Sequence, residues 1–209
     1  MIKDSGARRE FESGALRDVV EGKGRCDLLP LDVIARIYSR FIGKDWIVDI
    51  LTDINGFVET GSVECLERSV VDFMISSPHE SKFPFGDVSF ETMWLEVAKH
   101  FEEGCTKYGE NNWRKGIPAH CYIDSGVRHL LKWLRGDTDE PHHRAFVWNM
   151  ICCIWTCRNL PHLNEYVDPT KEEREPCDRA DNAQRTGIDP DWIKTVGIER
   201  SMGNEDQSC

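Results

Sequence analysis

The sequence predicts an all-α protein: a helical bundle with a Gly- and Arg-rich N-terminal arm and an irregular C-terminal tail. Three observations carry this. Apolar residues recur at spacings of three and four in several segments, Pro and Gly stand where those segments begin and end, and the alternation that marks strands is almost absent. At 209 residues the chain is long enough for one well-buried domain with a sizeable insertion. The expected division is a single domain over residues 1–165, with 44–90 as an insertion, and a tail over 166–209.

The arm, Gly6 to Asp27, carries glycines at 6, 14, 22 and 24 and reads as an ordered loop. Leu31, Ile34, Ile37, Tyr38 and Phe41 follow at helical spacing, and Pro30 suits a first helical turn. Residues 44–90 are broken by Gly56, Gly61, Pro78, Pro84 and Gly86, and are expected to form one or two short helices ending in a loop. Ser89 can cap the next helix, whose predicted inner face is Phe90, Trp94, Val97, Ala98, Phe101 and Cys105, with Gly109 ending it. Pro118 opens a helix with Ile123, Val127, Leu130, Leu131 and Leu134 on one face and Asp124 and Arg128 on another, and Gly136 stops it. After the turn DTDEP comes a helix from His142 to about Asn159. It is apolar nearly all round from Ala145 to Cys157, as a central helix would be. Only Asp189 to Ile198 of the polar tail is expected to dock.

The bulk numbers exclude several functions. A net charge of −11 and a pI of about 5.1 argue against duplex nucleic acid as a partner, since that needs a basic face. No uncharged run approaches the ~18 residues of a membrane span, and the N-terminus lacks the apolar core of a signal peptide. The nine cysteines are irregularly placed and include no CxxC pair, so they read as reduced thiols of a cytoplasmic protein.

Chemistry concentrates between Lys107 and Asn149. Asp124, His129, Asp137, Asp139, Glu140, His142 and His143 lie there among apolar helical faces, close to Lys and Arg. Carboxylates and imidazoles beside cations are what holding divalent metal and phosphate together requires, which points to nucleotide chemistry. Asp124 can equally pair with Arg128, one turn away, and DTDEP can be a solvated loop. Asn149, the lone amide of an apolar run, needs a hydrogen-bond partner and either closes an inter-helix network or lines the site. Lys107 suits phosphate, Asn112 a base edge, and Trp113 either base stacking or plain packing. The arm's Arg8, Arg9, Arg17, Lys23 and Arg25 suit a triphosphate or salt bridges to the acidic body.

GARREFESGALRDVVEGKGRCDLLPL, KYGENNWRKG, DSGVRHLLKWLRGDTDE and the helix from His142 to Asn149 together resemble the phage dATP/dGTP diphosphohydrolases of the MazZ type, relatives of the MazG-like all-α nucleotide pyrophosphohydrolases. The resemblance spans about residues 5–42 and 95–158. It implies a bundle of MazG-like type, hydrolysis of a deoxynucleoside triphosphate to monophosphate and pyrophosphate, dependence on Mg²⁺ with Mn²⁺ as a substitute, and a homo-oligomer, dimer or tetramer. In phages that replace adenine by 2-aminoadenine it implies that the product is dGMP for the modified nucleotide, made in the host cytoplasm. The relatives' ExxE…ExxD pattern does not show cleanly: His143 and Asn149 stand in the last helix where a Glu/Asp pair is expected.

The ligand assignment therefore rests on chemistry and position. Asp124, Glu140 and His129 are the expected catalytic residues. Asp124, Asp139, Glu140 and His143 are the expected metal ligands, and Arg17, Lys23, Arg25, Lys107, Asn112, Trp113, Arg128 and Asn149 the expected substrate contacts. The choice between dGTP and dATP stays open. So do two other classes: a phosphohydrolase releasing phosphate or triphosphate, and a non-catalytic nucleotide sensor or scaffold.

Overall fold

A computed structural model describes residues 6–19, 22–42, 45–76 and 90–167. Six α-helices appear among them: α1 (Leu31–Ile37), α2 (Asp45–Thr60), α3 (Val63–Ser76), α4 (Phe90–Tyr108), α5 (Ala119–Arg135) and α6 (His142–Asn159). They are preceded by a small antiparallel hairpin, β1 (Arg8–Glu10) and β2 (Leu16–Asp18). The predicted docking segment of the tail lies outside the described residues.

The apolar periodicity places α6 at the centre, packed against α3, α4 and α5. Phe146, Val147, Met150, Cys152 and Cys153 are all fully buried, so the helix is covered on every side, as its sequence demands. On α5 the predicted face is seen: Ile123, Val127 and Leu130 lie in the core. Gly136 ends that helix in the left-handed region. The N–H of Asp137 reaches Lys132 O and that of Gly136 reaches Trp133 O, each at 3.0 Å. Gly109, also left-handed, closes α4 through Cys105 O at 2.8 Å.

Two expectations change. Residues 44–90 contribute two full helices, of 16 and 14 residues, joined by only Gly61 and Ser62 so that they fold back on each other. Ile47, Ile50, Leu51, Ile54 and Phe57 of α2, with Leu66 and Phe73 of α3, form a large part of the hydrophobic core, and the Phe73 ring meets Phe146 at 4.7 Å. Gly56, taken as a breaker, is buried inside α2, where packing outweighs its propensity cost of ~1 kcal/mol. On α4 the buried face is rotated by a residue: Met93, Val97 and His100 point inward, while Trp94 and Ala98 are exposed.

The N-terminal arm is ordered, as expected, but as strands. Among the described residues β2 pairs with β1 alone, and on its other edge a side chain takes the place of a strand. Asn112 accepts from the Leu16 N–H at 2.7 Å and donates to Leu16 O at 2.8 Å, mimicking a backbone partner.

Candidate functional site

A cavity of about 320 Å³ lies among α4, α5 and α6, with the hairpin over it. Helical spacing turns one stripe of α5 toward it: Cys121, Asp124, Ser125, Arg128, His129 and Lys132. From α4 come His100, Phe101, Gly104, Cys105 and Tyr108, and from α6 Trp148 and Asn149. β2 adds Leu16, Arg17 and Asp18. The size suits a nucleotide-sized ligand.

Aromatic residues form part of the wall. Phe101 packs on Trp113 at 5.3 Å and on Trp148 at 5.8 Å, and Trp148 meets His100 at 5.3 Å. Arg17 crosses this region with its guanidinium 5.0 Å from the Tyr122 ring and donates to Asn149 Oδ1 at 2.5 Å. Asn149 spends its other end on Ala145 O at 2.7 Å.

Cations are organised by two carboxylates. Asp18 accepts from Lys107 at 2.8 Å and Tyr108 at 2.9 Å, and pairs with Arg8 at 3.1 Å. Asp124, 4% exposed, takes Arg128 on both oxygens at 2.6 and 2.5 Å, and accepts the Cys26 N–H at 2.7 Å. Arg128 in turn donates to the carbonyls of Lys23 and Gly24 at 3.1 and 2.8 Å, tying the arm to α5. Burial lowers the Lys23 pKa, against the raising pull of Asp18.

At the foot of the α5 stripe, His129 Nδ1 and His142 Nδ1 stand 3.0 Å apart, each 3.7 Å from Glu140 Oε1. His142 Nε2 lies 2.7 Å from Asp139 Oδ1, and Lys132 holds the other Asp139 oxygen at 3.3 Å. Burial, reinforced by His142, drives the His129 pKa well below its ordinary value. Two groups among the described residues can hold a divalent ion: His129 with Glu140 and His142, and Asp137 with Asp139 and His142.

Four residues of the cavity lining each hold a fully buried nitrogen with no hydrogen-bond partner: Arg9 Nε, Arg17 Nη1, His100 Nδ1 and Trp148 Nε1. Burial, with Arg144 nearby, lowers the His100 pKa to about 3, so it faces the cavity as a neutral imidazole.

Of the predicted residues, Arg17, Lys23, Asn112, Trp113, Asp124, Arg128, His129, Glu140 and Asn149 come together on the cavity. Four do not line it. Lys107 sits behind Asp18 and Asp139 behind His142. Arg25 pairs with Asp27 on the surface. His143, lowered to about 4 by burial, is not in either metal-holding group. Asp124 also belongs to neither group, because its oxygens are taken by Arg128 and Cys26. The sequence reading missed Asp18, His100 and His142 as site residues. For His142 a signal existed: it lies seven residues before Asn149 and so shares its helical face, whereas His143 is turned away by about 100°.

The family model for the dATP/dGTP diphosphohydrolase N-terminal domain matches residues 78–165. Over those residues, somewhat less than half of the chain, the protein is similar to this family. The match takes in α4, α5 and α6, the three helices around the cavity, and supports assignment to a family of hydrolases that act on nucleoside triphosphates. No curated protein and no solved structure matches the chain. The family's N-terminal domain here excludes the hairpin, which nevertheless carries Arg17 and Asp18 to the cavity of the diphosphohydrolase region. No described helix is long and apolar enough to cross a membrane.

Proposed function

We propose that the cavity binds dGTP in preference to dATP and hydrolyses it to dGMP and pyrophosphate. The gathering of cationic side chains on one aromatic-walled cavity, bounded by the family-matched helices, supports this reading. The base stacks among Trp148, Phe101 and Trp113. Arg17, on the cavity wall, offers its guanidinium to the base edge, where guanine O6 and N7 accept and the adenine amino group does not. Asn112, whose amide is spent on Leu16, orders the roof rather than reading the base.

Lys23, Arg128 and Lys132 neutralise the triphosphate, with Asp124 holding Arg128 in place and Asp18 holding Lys107 behind it. Water attacks the α-phosphorus, its oxygen forming the new P–O bond as the bridge to the β-phosphate breaks. Glu140, beside His129 on the cavity wall, takes the water's proton. A divalent ion supplies charge neutralisation on the phosphates. Mg²⁺, with Mn²⁺ as its substitute, would be held beside the carboxylates of the turn between α5 and α6 and would supply that neutralisation.

By the resemblance, the dGMP feeds synthesis of a 2-aminoadenine nucleotide in the cytoplasm of a phage-infected host. A homodimer or homotetramer would cover the exposed Ile37, Phe41 and Ile42. The deciding experiment incubates the purified protein with each dNTP and NTP, with and without Mg²⁺ or Mn²⁺, and resolves the products. Metal-dependent dGMP and pyrophosphate are expected. Nucleoside with triphosphate would overturn the reaction, and no turnover of any nucleotide would leave a binding protein.

A further inference from the structure

We propose that His129, His142 and Glu140 form a protein-held site for a divalent transition-metal ion, occupied before any nucleotide binds. Three atoms separated by 3.0, 3.7 and 3.7 Å share a point about 2.0 Å from each, which matches the ~2.0–2.2 Å of metal–imidazole and metal–carboxylate bonds. The three donors are therefore already spaced as ligands of one ion.

The donor set chooses the class of ion. Two imidazoles and one carboxylate suit Mn²⁺, Co²⁺ and Zn²⁺, whereas Mg²⁺ prefers oxygen and keeps its waters. The outer contacts are also those of a metal site. Asp139 at 2.7 Å fixes the His142 proton on Nε2, which leaves the Nδ1 lone pair turned to His129 and Glu140. Lys132 steadies that carboxylate from behind at 3.3 Å. His142 is 1% exposed, so this arrangement is fixed in the interior and not at a fluctuating surface. His129 and Glu140 both line the cavity, so a metal held by three protein ligands keeps its remaining positions on the cavity side, as catalytic sites do. Metal binding by the nucleotide-free chain stands or falls whether or not dGTP is turned over.

The test titrates the metal-stripped, nucleotide-free protein with Co²⁺ and follows its visible absorption, with calorimetry for Zn²⁺, Mn²⁺ and Mg²⁺. One equivalent is expected, at least tenfold tighter for Co²⁺ and Zn²⁺ than for Mg²⁺. The near-ultraviolet charge-transfer band of cysteine ligation should be missing. Glu140→Gln, nearly isosteric, and His129→Ala should each weaken binding at least tenfold with unchanged far-UV circular dichroism, while His162→Ala, outside the cavity, should not. Affinity unchanged in both site variants, a thiolate band, or no preference over Mg²⁺ would overturn the proposal. In those cases the two imidazoles share a proton, His129 Nδ1–H donating to His142.

Discussion

The two helix pairs α2–α3 and α5–α6 both fold back on themselves, but they use buried charge in opposite ways. In α2–α3 the buried Asp53 meets Arg68 at 3.0 Å and Asn55 donates to Glu59 at 3.0 Å, so polar groups close on one another within the pair. Around α5–α6, Arg17, Lys23, Arg128 and His129 gather instead on the wall of a cavity. Self-contained pairing makes a scaffold, and charged groups gathered round a cavity make a site. Removing one partner should therefore cost stability in the first region and function in the second.

The largest effect is expected from Arg68→Met. It leaves the Asp53 carboxylate buried without its cation and should destabilise by about 3 kcal/mol. Denaturant melts would show this, with kcat/KM for dGTP unchanged in the folded fraction. Arg17→Met should do the reverse, lowering kcat/KM for dGTP about 100-fold, the cost of one buried donor to substrate. A midpoint shift as large as that of Arg68→Met would erase the contrast.

The buried histidines give the comparison a pH dependence. His100 near 3 and His143 near 4 are depressed below the unfolded value of about 6.5. Their stability contribution is present above pH 6.5. It is lost as pH falls toward 4, since the unfolded chain takes up protons first, at up to about 1.4 kcal/mol per pH unit for each group. His100→Gln should flatten that slope in melting curves between pH 6.5 and 4.

The smallest and sharpest case is Gly104. It sits inside α4 on the cavity wall, and a Cβ there would meet nothing within 4 Å. Gly104→Leu should add roughly 1 kcal/mol of stability, through helix propensity, while filling space the nucleotide needs and raising KM at least tenfold. A stabilised variant with normal KM would move the nucleotide elsewhere.

The bundle was legible wherever a single period governed a helix. The α5 stripe, the all-round burial of α6 and the glycine stops at 109 and 136 follow from spacing and backbone freedom. α2 and α3 were misjudged because Gly56 and Gly61 looked alike in sequence, yet only Gly61 ends a helix. At the site, residue types were informative and individual roles less so. Asn112 and Asp124 carry chemistry that suits substrate or metal, but hold the arm in place through contacts 96 and 98 residues away in sequence. Such long-range hydrogen bonds leave no trace in a local pattern.

Those contacts also order events in time. The arm reaches Asn112, Asp124 and Asn149 across 96, 98 and 132 residues. Closing such long loops is entropically expensive and slow relative to forming helix pairs joined by two to six residues. The arm must therefore wait for α6 before its full set of partners, Asn149 included, exists. A nascent chain cannot assemble its cavity until α6 is made, so the site matures only once the whole bundle exists.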